Sequence, residues 1–418
     1  MSALFTRAAK RLCFTPLAPS DQQVGLAALV VARDVRRDSW FTQTSDSAAT
    51  KVKRSKRQPR KKDATTAPVA EDTTQKQKQA KPAGENKEDT TQTERKKKAA
   101  GTSSAKIAGK GSKLTTVNPE VEKAVEKFVK HATESGGIDA LRDESRTVLE
   151  FLPAPNTYKK FASNPDRNRF PEIQCLDETC ISLEQTEPST NTYIHANRVK
   201  LEKADRPYIL TQGPKENTIE DFWRMIFQEQ CAGVVMLCNY YEDGVQKCDE
   251  FFPTENGGYK YYGKMFVNNK KVDHLDQHDI YTLEILPDGC SNSILTRLAH
   301  CTTWPDKAVP SSGRMVLRLL KWMQALEASA PVAVVSGAGV GRAGTYIAID
   351  QVCTRLFKGI EVSVKEIAIE IRKQRAHAIS NELQYFFVYS TVLDYIRAKI
   401  PKYHNVVSKF YNELSQAI

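Results

Sequence analysis

The sequence predicts a mixed α/β domain over residues 116–400, preceded by a basic tail. Strand-like apolar runs occur at 232–238, 278–286 and 331–335. Helical patterns occur at 218–229, 312–328, 344–357, 363–374 and 382–398. These runs alternate with turn signals, without a long break and without an internal repeat. That pattern indicates one large domain of the α/β or α+β class.

The folded part of the chain is predicted to begin near Asn118. The segment from Pro119 to Val129 has the pattern of a helix, because proline stands in the first turn and apolar residues recur on one face. The domain is predicted to end near Ile400, which leaves residues 401–418 as a C-terminal tail.

The basic character of the chain belongs to its N-terminal third. The net charge is +11, yet residues 1–115 hold 25 Lys+Arg against 11 Asp+Glu, and the remainder holds 36 against 39. Residues 45–115 contain almost no large apolar residue, which predicts a disordered linker. Basic clusters at 51–62 and 95–98 are typical of nuclear import signals or of contacts with nucleic acid or an anionic surface. A solvated linker explains these basic clusters equally well. No aromatic residues are interleaved with the charges, so base stacking is not indicated.

Residues 1–44 have no predicted fold. The first twenty hold Arg7, Lys10 and Arg11 and no acid, as mitochondrial presequences do, but a flexible N-terminus is the favoured interpretation. No stretch reaches the ~18 apolar residues that span a bilayer, so no transmembrane segment is predicted. The nine cysteines are odd in number and form no C-x-x-C pair, which indicates a reducing, intracellular compartment. We expect neither a metal nor a cofactor.

The most informative motif follows the last apolar strand. Residues 331–345 read Pro-Val-Ala-Val-Val-Ser-Gly-Ala-Gly-Val-Gly-Arg-Ala-Gly-Thr. A glycine-rich turn between a strand and a helix presents backbone N–H groups to a dianion, and the arginine adds a bidentate fork suited to phosphate. The predicted phosphate-binding residues are Ser336, Gly337, Ala338, Gly339, Val340, Gly341 and Arg342.

The same stretch contains a G-x-G-x-x-G pattern from Gly339 to Gly344, so a dinucleotide site is an alternative. That site needs the motif early in a βαβ unit, with an acid at the end of the second strand about 20 residues on. Here the motif lies late in the domain and Lys358-Gly-Ile-Glu-Val interposes a different connection. A phosphate cradle is therefore the favoured interpretation.

The loop and six further motifs, in order, resemble the classical protein tyrosine phosphatase domain. The further motifs are Arg167-Asn-Arg-Phe-Pro171, Tyr193-Ile-His-Ala-Asn197, Tyr208-Ile-Leu-Thr-Gln-Gly-Pro214 with Thr218–Met225, Lys247-Cys248 with Phe252-Pro253, Trp304-Pro-Asp306 with Val309-Pro310, and Gln374-Arg375 with Gln384-Tyr385. The resemblance covers about residues 118–400. It implies a twisted mixed β-sheet flanked by helices and a site for phosphotyrosine.

The resemblance also implies roles for individual residues. Ser336 stands at the position of the nucleophilic cysteine, Asp306 at that of the general acid, and Arg342 holds the phosphate. Three residues are expected to bind substrate: Phe170 as an aromatic wall, Asp177 as the acid that meets the substrate backbone, and Gln384. The activating positions have changed as well, with Val335 for histidine, Gly337 for serine, Ala343 for a hydroxyl residue and Ser380 for the glutamine that positions water.

These departures predict a catalytically inactive homologue that still binds phosphotyrosine. A serine hydroxyl stays protonated without a base in reach, and a neutral hydroxyl removes the repulsion between a thiolate and a phosphate dianion. We expect a cytoplasmic protein that holds or shields tyrosine-phosphorylated proteins, or that holds a kinase or its substrate. The alternatives are an active phosphatase, with Ser336 activated from elsewhere, and a scaffold that uses the outer surface of the fold.

Overall fold

The computed structural model describes residues 118–185, 187 and 190–417. The predictions for residues 1–44 and 45–115, including the basic clusters 51–62 and 95–98, lie outside the described residues. In the part of the chain that is described, no helix combines the length and the apolar character that crossing a bilayer requires.

Helices and strands alternate through the first three quarters of the domain, and helices alone complete it. The helices are α1 Pro119–Thr133, α2 Gly137–Glu150, α3 Lys159–Ala162, α4 Ile219–Gln228, α5 Arg314–Gln324, α6 Gly341–Phe357, α7 Val364–Gln374, α8 Glu382–Lys399 and α9 His404–Ala417. The strands are β1 Cys180–Ser182, β2 Tyr193–Val199, β3 Tyr208–Gln212, β4 Gly233–Met236, β5 Tyr241–Glu242, β6 Val245–Gln246, β7 Tyr259–Tyr262, β8 Met265–His274, β9 Asp279–Pro287, β10 Ile294–His300 and β11 Val332–Ser336.

Nine of these strands form one sheet in the order β1-β2-β3-β11-β4-β10-β9-β8-β7. The four central strands, β3, β11, β4 and β10, run parallel, and the outer pairs are antiparallel. The remaining two strands, β5 and β6, form a separate hairpin. This twisted mixed sheet flanked by helices confirms the predicted fold class.

Strand β11 lies at the centre of the sheet and is buried on both faces. Val332 and Val334 face the larger core cluster, which contains residues of α1, α2 and α5–α9, whereas Ala333 and Val335 face the cluster around α4. A strand buried on both faces is apolar without alternation, because neither face meets water. This is why the run at 331–335 was visible in the sequence.

The predicted elements correspond closely to observed ones. The three predicted strands are β4, β9 and β11, and the five helical patterns are α4 to α8. The C-terminal segment differs from the expected tail. Residues 404–417 form α9, whose Phe410 and Leu414 are buried in the larger core cluster, so this segment belongs to the folded domain.

The connection after the glycine-rich loop does not fit the dinucleotide alternative. Helix α6 leads into α7, α8 and α9, and within residues 341–417 no strand follows. The βαβ unit that places a ribose-binding acid is therefore missing from this part of the fold.

Candidate functional site

The glycine-rich loop joins β11 to α6 and is held by its own carbonyl groups. The carbonyl of Gly337 accepts a hydrogen bond from the N–H of Gly213 (3.1 Å). The carbonyls of Ala338 and Gly339 accept hydrogen bonds from Arg375 (both 3.0 Å). Because a trans peptide directs its N–H opposite to its C=O, the N–H groups of Ala338 and Val340 point away from the partners of the preceding carbonyls. The N–H of Gly339 is used within the loop, since it donates to the carbonyl of Ser336 (3.0 Å).

Gly339 is required by both backbone angle and space. Its φ is +68°, and an added Cβ would lie 2.3 Å from the carbonyl carbon of Thr211. Any side chain here would therefore strain the loop and push it away from β3. The loop can pass this closely over the central sheet only with glycine at this position.

Arg375 is a buried support of the loop that the sequence analysis did not place in the site. Its side chain is fully buried. Besides the two loop carbonyls, it donates to Asn197 Oδ1 (2.7 Å) and to His195 Nδ1 (3.1 Å). The pKa of His195 is lowered to about 3 by burial and by the charge of Arg375, so this ring is neutral and accepts the bond. Arg375 thus holds the loop in place through two of its carbonyl groups.

Replacing Arg375 with methionine should destabilise the protein by about 3–5 kcal/mol, because four buried acceptors lose their donor at once. The measurement is the free energy of unfolding from denaturant titration, with the slope checked for constancy. Arg146→Met, on the exposed face of α2, is the matched control and should leave the midpoint unchanged. A loss below about 1 kcal/mol for Arg375→Met would contradict this supporting role.

Arg342, in the first turn of α6, is held by two carboxylates. Its Nη1 and Nη2 donate to the two oxygens of Glu242 at 2.6 and 2.7 Å, a bidentate pair. Nη1 also donates to the carbonyl of Trp304 (2.9 Å), and Nη2 donates to Asp306 Oδ1 (3.1 Å). Although burial acts to lower the pKa of Arg342, the bond to Glu242 and the charges of Glu242 and Asp306 raise it above its ordinary value. The guanidinium is 3% exposed and stays charged.

Asp306 bridges the two cations of the site. Its second oxygen pairs with Lys247 Nζ at 2.7 Å. Burial acts to raise the pKa of Asp306, but the bond to Lys247 and the charges of Arg342 and Lys247 hold it below its usual range. The carboxyl is therefore ionised at neutral pH in this arrangement. Because the four charges of Arg342, Lys247, Glu242 and Asp306 cancel, an incoming dianion has to displace Asp306 before it meets a positive site.

Ser336 ends β11 and is 2% exposed. The two carboxylates of the site, Glu242 and Asp306, are both paired with cations. His300, the histidine nearest in sequence, bonds the carbonyl of Cys238 (3.0 Å). Among the described residues, no hydrogen bond joins Ser336 Oγ to a histidine or a carboxylate. The preceding Val335 packs in the core.

The predicted residues Ser380 and Gln384 meet at the start of α6. An added Cβ on Gly341 would lie 2.8 Å from Ser380 Oγ and 2.9 Å from Gln384 Oε1. Gln384 Oε1 also accepts the N–H of Ser380 (3.0 Å), and the side chain is 1% exposed. Both side chains therefore lie against the glycine-rich loop, and Gln384 is held by the backbone N–H of Ser380.

The predicted aromatic wall is braced against the same part of the fold. Phe170 is half-buried, and the neighbouring Arg169 donates to the carbonyls of Gly213 (3.1 Å) and Pro214 (2.6 Å) and to Asp249 (2.7 Å). Gly213 also donates to the carbonyl of Gly337 in the glycine-rich loop. The short segment Gly213-Pro214 therefore contacts both the loop and the arginine beside the predicted aromatic wall.

Asp177 has a structural use that the sequence analysis did not foresee. Its two oxygens accept the N–H groups of Lys159 (2.6 Å) and Lys160 (2.9 Å), which caps the short helix α3. Each oxygen of the carboxylate keeps a second lone pair that can accept a further donor. The contacts therefore give Asp177 a capping role, and substrate binding by this residue stays a prediction.

Glu242 and Lys247 are the site residues that the sequence analysis missed or noted only within a motif. They lie at the two ends of the β5–β6 hairpin, 100 residues and 59 residues from their partners Arg342 and Asp306 respectively. Charged residues flanking a short turn are common on surfaces, so the local pattern gave no reason to single them out. For the described residues, no cluster of three or more histidine, cysteine or acidic side chains is placed to hold a metal ion.

Comparison with known proteins matches the sequence of this domain to a known family. Residues 164–394 match the family model described as protein-tyrosine phosphatase. The chain is 32% identical over 271 residues to tyrosine-protein phosphatase non-receptor type 2 of Homo sapiens, a match that covers 63% of each chain. It is 32% identical over 298 residues to receptor-type tyrosine-protein phosphatase zeta of Rattus norvegicus, covering 66% of this chain and 13% of that relative. The match thus spans less than two thirds of the length of either relative.

Proposed function

Because the chain belongs to the protein tyrosine phosphatase family, we propose that it is a pseudophosphatase that binds phosphotyrosine and holds or shields tyrosine-phosphorylated proteins. One observation carries the proposal. The glycine-rich loop and Arg342 are held as a phosphate site would require, whereas Ser336, at the nucleophile position, has no hydrogen bond to a histidine or a carboxylate among the described residues.

The chemistry of Ser336 supports inactivity. A serine attacks only when a neighbouring base removes its proton, and the acids of this site are committed to cations. Asp306, at the general-acid position, is ionised while it pairs with Arg342 and Lys247, so in this arrangement it has no proton to give. The attack by Ser336 therefore lacks its base.

The geometry supports binding after one rearrangement. A phosphate dianion would take the place of the Asp306 carboxylate on Arg342 and Lys247, while Glu242 would keep the guanidinium oriented. The half-buried Phe170 would flank the phenyl ring of the ligand. Because the serine is uncharged, the bound dianion meets no like charge at the base of the loop.

The proposed partners are tyrosine-phosphorylated proteins, including a kinase or its substrate. The proposal places the protein in the cytoplasm, with nuclear import through the clusters 51–62 and 95–98 as a further possibility. The same basic segment offers a weak means of contact with nucleic acid or an anionic surface. All of these points concern segments or partners outside the described residues.

The test is calorimetric titration of the full chain with a phosphotyrosine peptide, with its unphosphorylated twin as control. The proposal expects saturable binding of the phosphorylated peptide alone. In parallel, turnover of an aryl phosphate should not exceed that of a heat-denatured control. Turnover that requires Ser336 would show an active phosphatase, and heat with neither peptide would favour a scaffold that uses the outer surface.

Replacing Asp306 with asparagine should strengthen phosphotyrosine binding by about tenfold, because the change removes the negative charge that competes for Arg342 and frees Lys247. The measurement is the dissociation constant from the same titration. Asp276→Asn, which alters an exposed ion pair with Arg318, is the matched control and should leave the affinity unchanged. Weaker binding by Asp306→Asn would show that the carboxylate assists the ligand instead of competing with it.

A further inference from the structure

The acid loop, residues 302–310, carries Asp306 and lies between β10 and α5. Within residues 302–310 no helix or strand forms, so the ladder of a sheet or the turns of a helix do not fix this segment. Side chains from elsewhere in the domain hold it instead. The position of Asp306 over Arg342 therefore depends on a small number of identifiable contacts.

Three side chains from other parts of the chain donate to backbone carbonyls of the acid loop. The donor and carbonyl pairs are Asn239 with Thr302 (3.1 Å), Arg342 with Trp304 (2.9 Å) and Asn381 with Lys307 (2.7 Å). The first pair holds the loop where it leaves the sheet, and the second involves the phosphate site itself. The third acts on the residue that directly follows Asp306.

Asn381 is the N-cap of α8, and its side-chain amide makes two hydrogen bonds. Oδ1 accepts the N–H of Gln384 (2.9 Å), which caps the helix, while Nδ2 donates to the carbonyl of Lys307. Serine and aspartate cap helices as well as asparagine does. However, an aspartate carboxylate has no donor, and the single hydroxyl of serine lies on a shorter side chain. The bond to Lys307 is therefore a second use of a residue that the cap alone does not require.

The acid loop turns sharply where Asn381 holds it. Lys307 has a φ of +54°, in the left-handed region that a residue with a Cβ disfavours. Its side chain is exposed, so no burial of that side chain stabilises the turn. The hydrogen bond on its carbonyl thus helps to keep a strained turn in place, and this turn sets the position of the Asp306 carboxylate.

Helix α8 supplies the surface on which the acid loop rests. The ring of Trp304 packs against Phe387 of this helix, with 5.5 Å between the ring centroids. Farther along, an added Cβ on Gly313 would lie 2.7 Å from the side chain of Thr391. Asn381 adds a polar contact at the N-terminal end of the same helix, next to the phosphate site.

We propose that Asn381 is a positioning residue that holds the acid loop over Arg342 and thereby controls when phosphotyrosine reaches the glycine-rich loop. This inference rests on the proposed function, since it concerns access to that same site. An incoming dianion has to displace Asp306 from Arg342, and the carboxylate moves with the segment that carries it. Asn381 acts on the ligand only through the position of Asp306.

The first readout needs no ligand. The indole N–H of Trp304 donates to the Ala308 carbonyl inside the acid loop (3.1 Å), and this side chain is 1% exposed, so its hydrogen exchange reports opening of the loop. In the full chain with 15N-labelled tryptophan, Asn381→Ser and Asn381→Asp should each speed this exchange by at least about fivefold, as the loss of one ordinary hydrogen bond predicts. Trp304→Phe assigns the signal. The indole N–H of Trp223, which donates to the Phe251 carbonyl in the other core cluster, should exchange as before.

The second readout is the affinity for a phosphotyrosine peptide. Asn381→Ser should bind it more tightly, by up to about fivefold, because the accessible form of the site is populated more often. The melting temperature should not change, since serine keeps the cap. Asn118→Ser, the same change at the N-cap of α1, is the matched control and should alter neither readout.

The two proposals fail separately. If both Asn381 variants keep the melting temperature and the Trp304 exchange rate of the unmodified chain, Asn381 does not hold the acid loop and the inference is wrong. It is also wrong if the exchange accelerates while the phosphotyrosine affinity stays the same or falls, because the loop would then not control access. If neither the unmodified chain nor any variant binds the peptide, the proposed function is wrong, and the exchange rate still decides whether Asn381 positions the loop.

Discussion

Ser336→Cys should give the protein phosphatase activity at least about 10²-fold above that of the unmodified chain, because a thiol at this position needs no general base. The backbone amides of the loop, the N-terminus of α6 and Arg342 all favour a thiolate there. The rate should stay limited by hydrolysis of the phosphorylated cysteine, since the family resemblance implies that Ser380 stands in place of the glutamine that positions water. The measurement is aryl phosphate turnover, with rapid quench to trap a phosphorylated cysteine.

Two companion variants make this result specific. Ser336→Cys combined with Asp306→Asn should lose about 10²–10⁴-fold of the gained activity, because Asp306, once the phosphate has displaced it from Arg342 and Lys247, is the residue placed to protonate the leaving group. Ser311→Cys, which adds a thiol at an exposed position before α5, should gain nothing. A Ser336→Cys protein that binds phosphotyrosine, yet forms no phosphorylated intermediate, would contradict the prediction.

Arg342→Ala should weaken phosphotyrosine binding by at least about 10²-fold. The change removes the bidentate fork, leaves the Glu242 carboxylate without its counter-charge and leaves Asp306 paired with Lys247 alone. The measurement is the dissociation constant from calorimetric titration. The affinity of Arg342→Lys should lie between those of the unmodified chain and of Arg342→Ala, since a lysine keeps the charge and loses the bidentate fork.

Folding and binding are separable in this experiment. Arg342→Ala leaves the buried Glu242 carboxylate unpaired, which should lower the melting temperature. Adding Glu242→Gln removes that charge, so the double variant should regain melting temperature while its affinity for phosphotyrosine stays low. Arg146→Ala, an exposed arginine of α2, should bind like the unmodified chain. If Arg342→Ala binds the phosphorylated peptide with undiminished affinity, the ligand is held by another surface and the proposed cradle is wrong.

Local patterns predicted the parts of this fold that are locally specified. Strand β11 was visible because both of its faces are buried, and α4 to α8 were visible because their apolar residues recur at helical spacing. The sequence predicts a tail where α9 lies, although α9 buries Phe410 and Leu414 in the larger core cluster. The last predicted helix ends just before Pro401, and no local pattern indicates that a further short helix packs against the core.

The sequence by itself determined which groups this site contains: Ser336 at the end of a strand, a glycine-rich turn ahead of a helix, and an arginine six residues after Ser336. The tertiary structure alone decided how those groups are charged and held. Glu242 reaches Arg342 across 100 residues of chain, and Asp177 accepts the N–H groups of Lys159 and Lys160 as a helix cap. Pairing energies depend on distances in space and on burial, which strand and helix periodicity do not encode. The ionic partners of a site therefore appear only once the chain has folded.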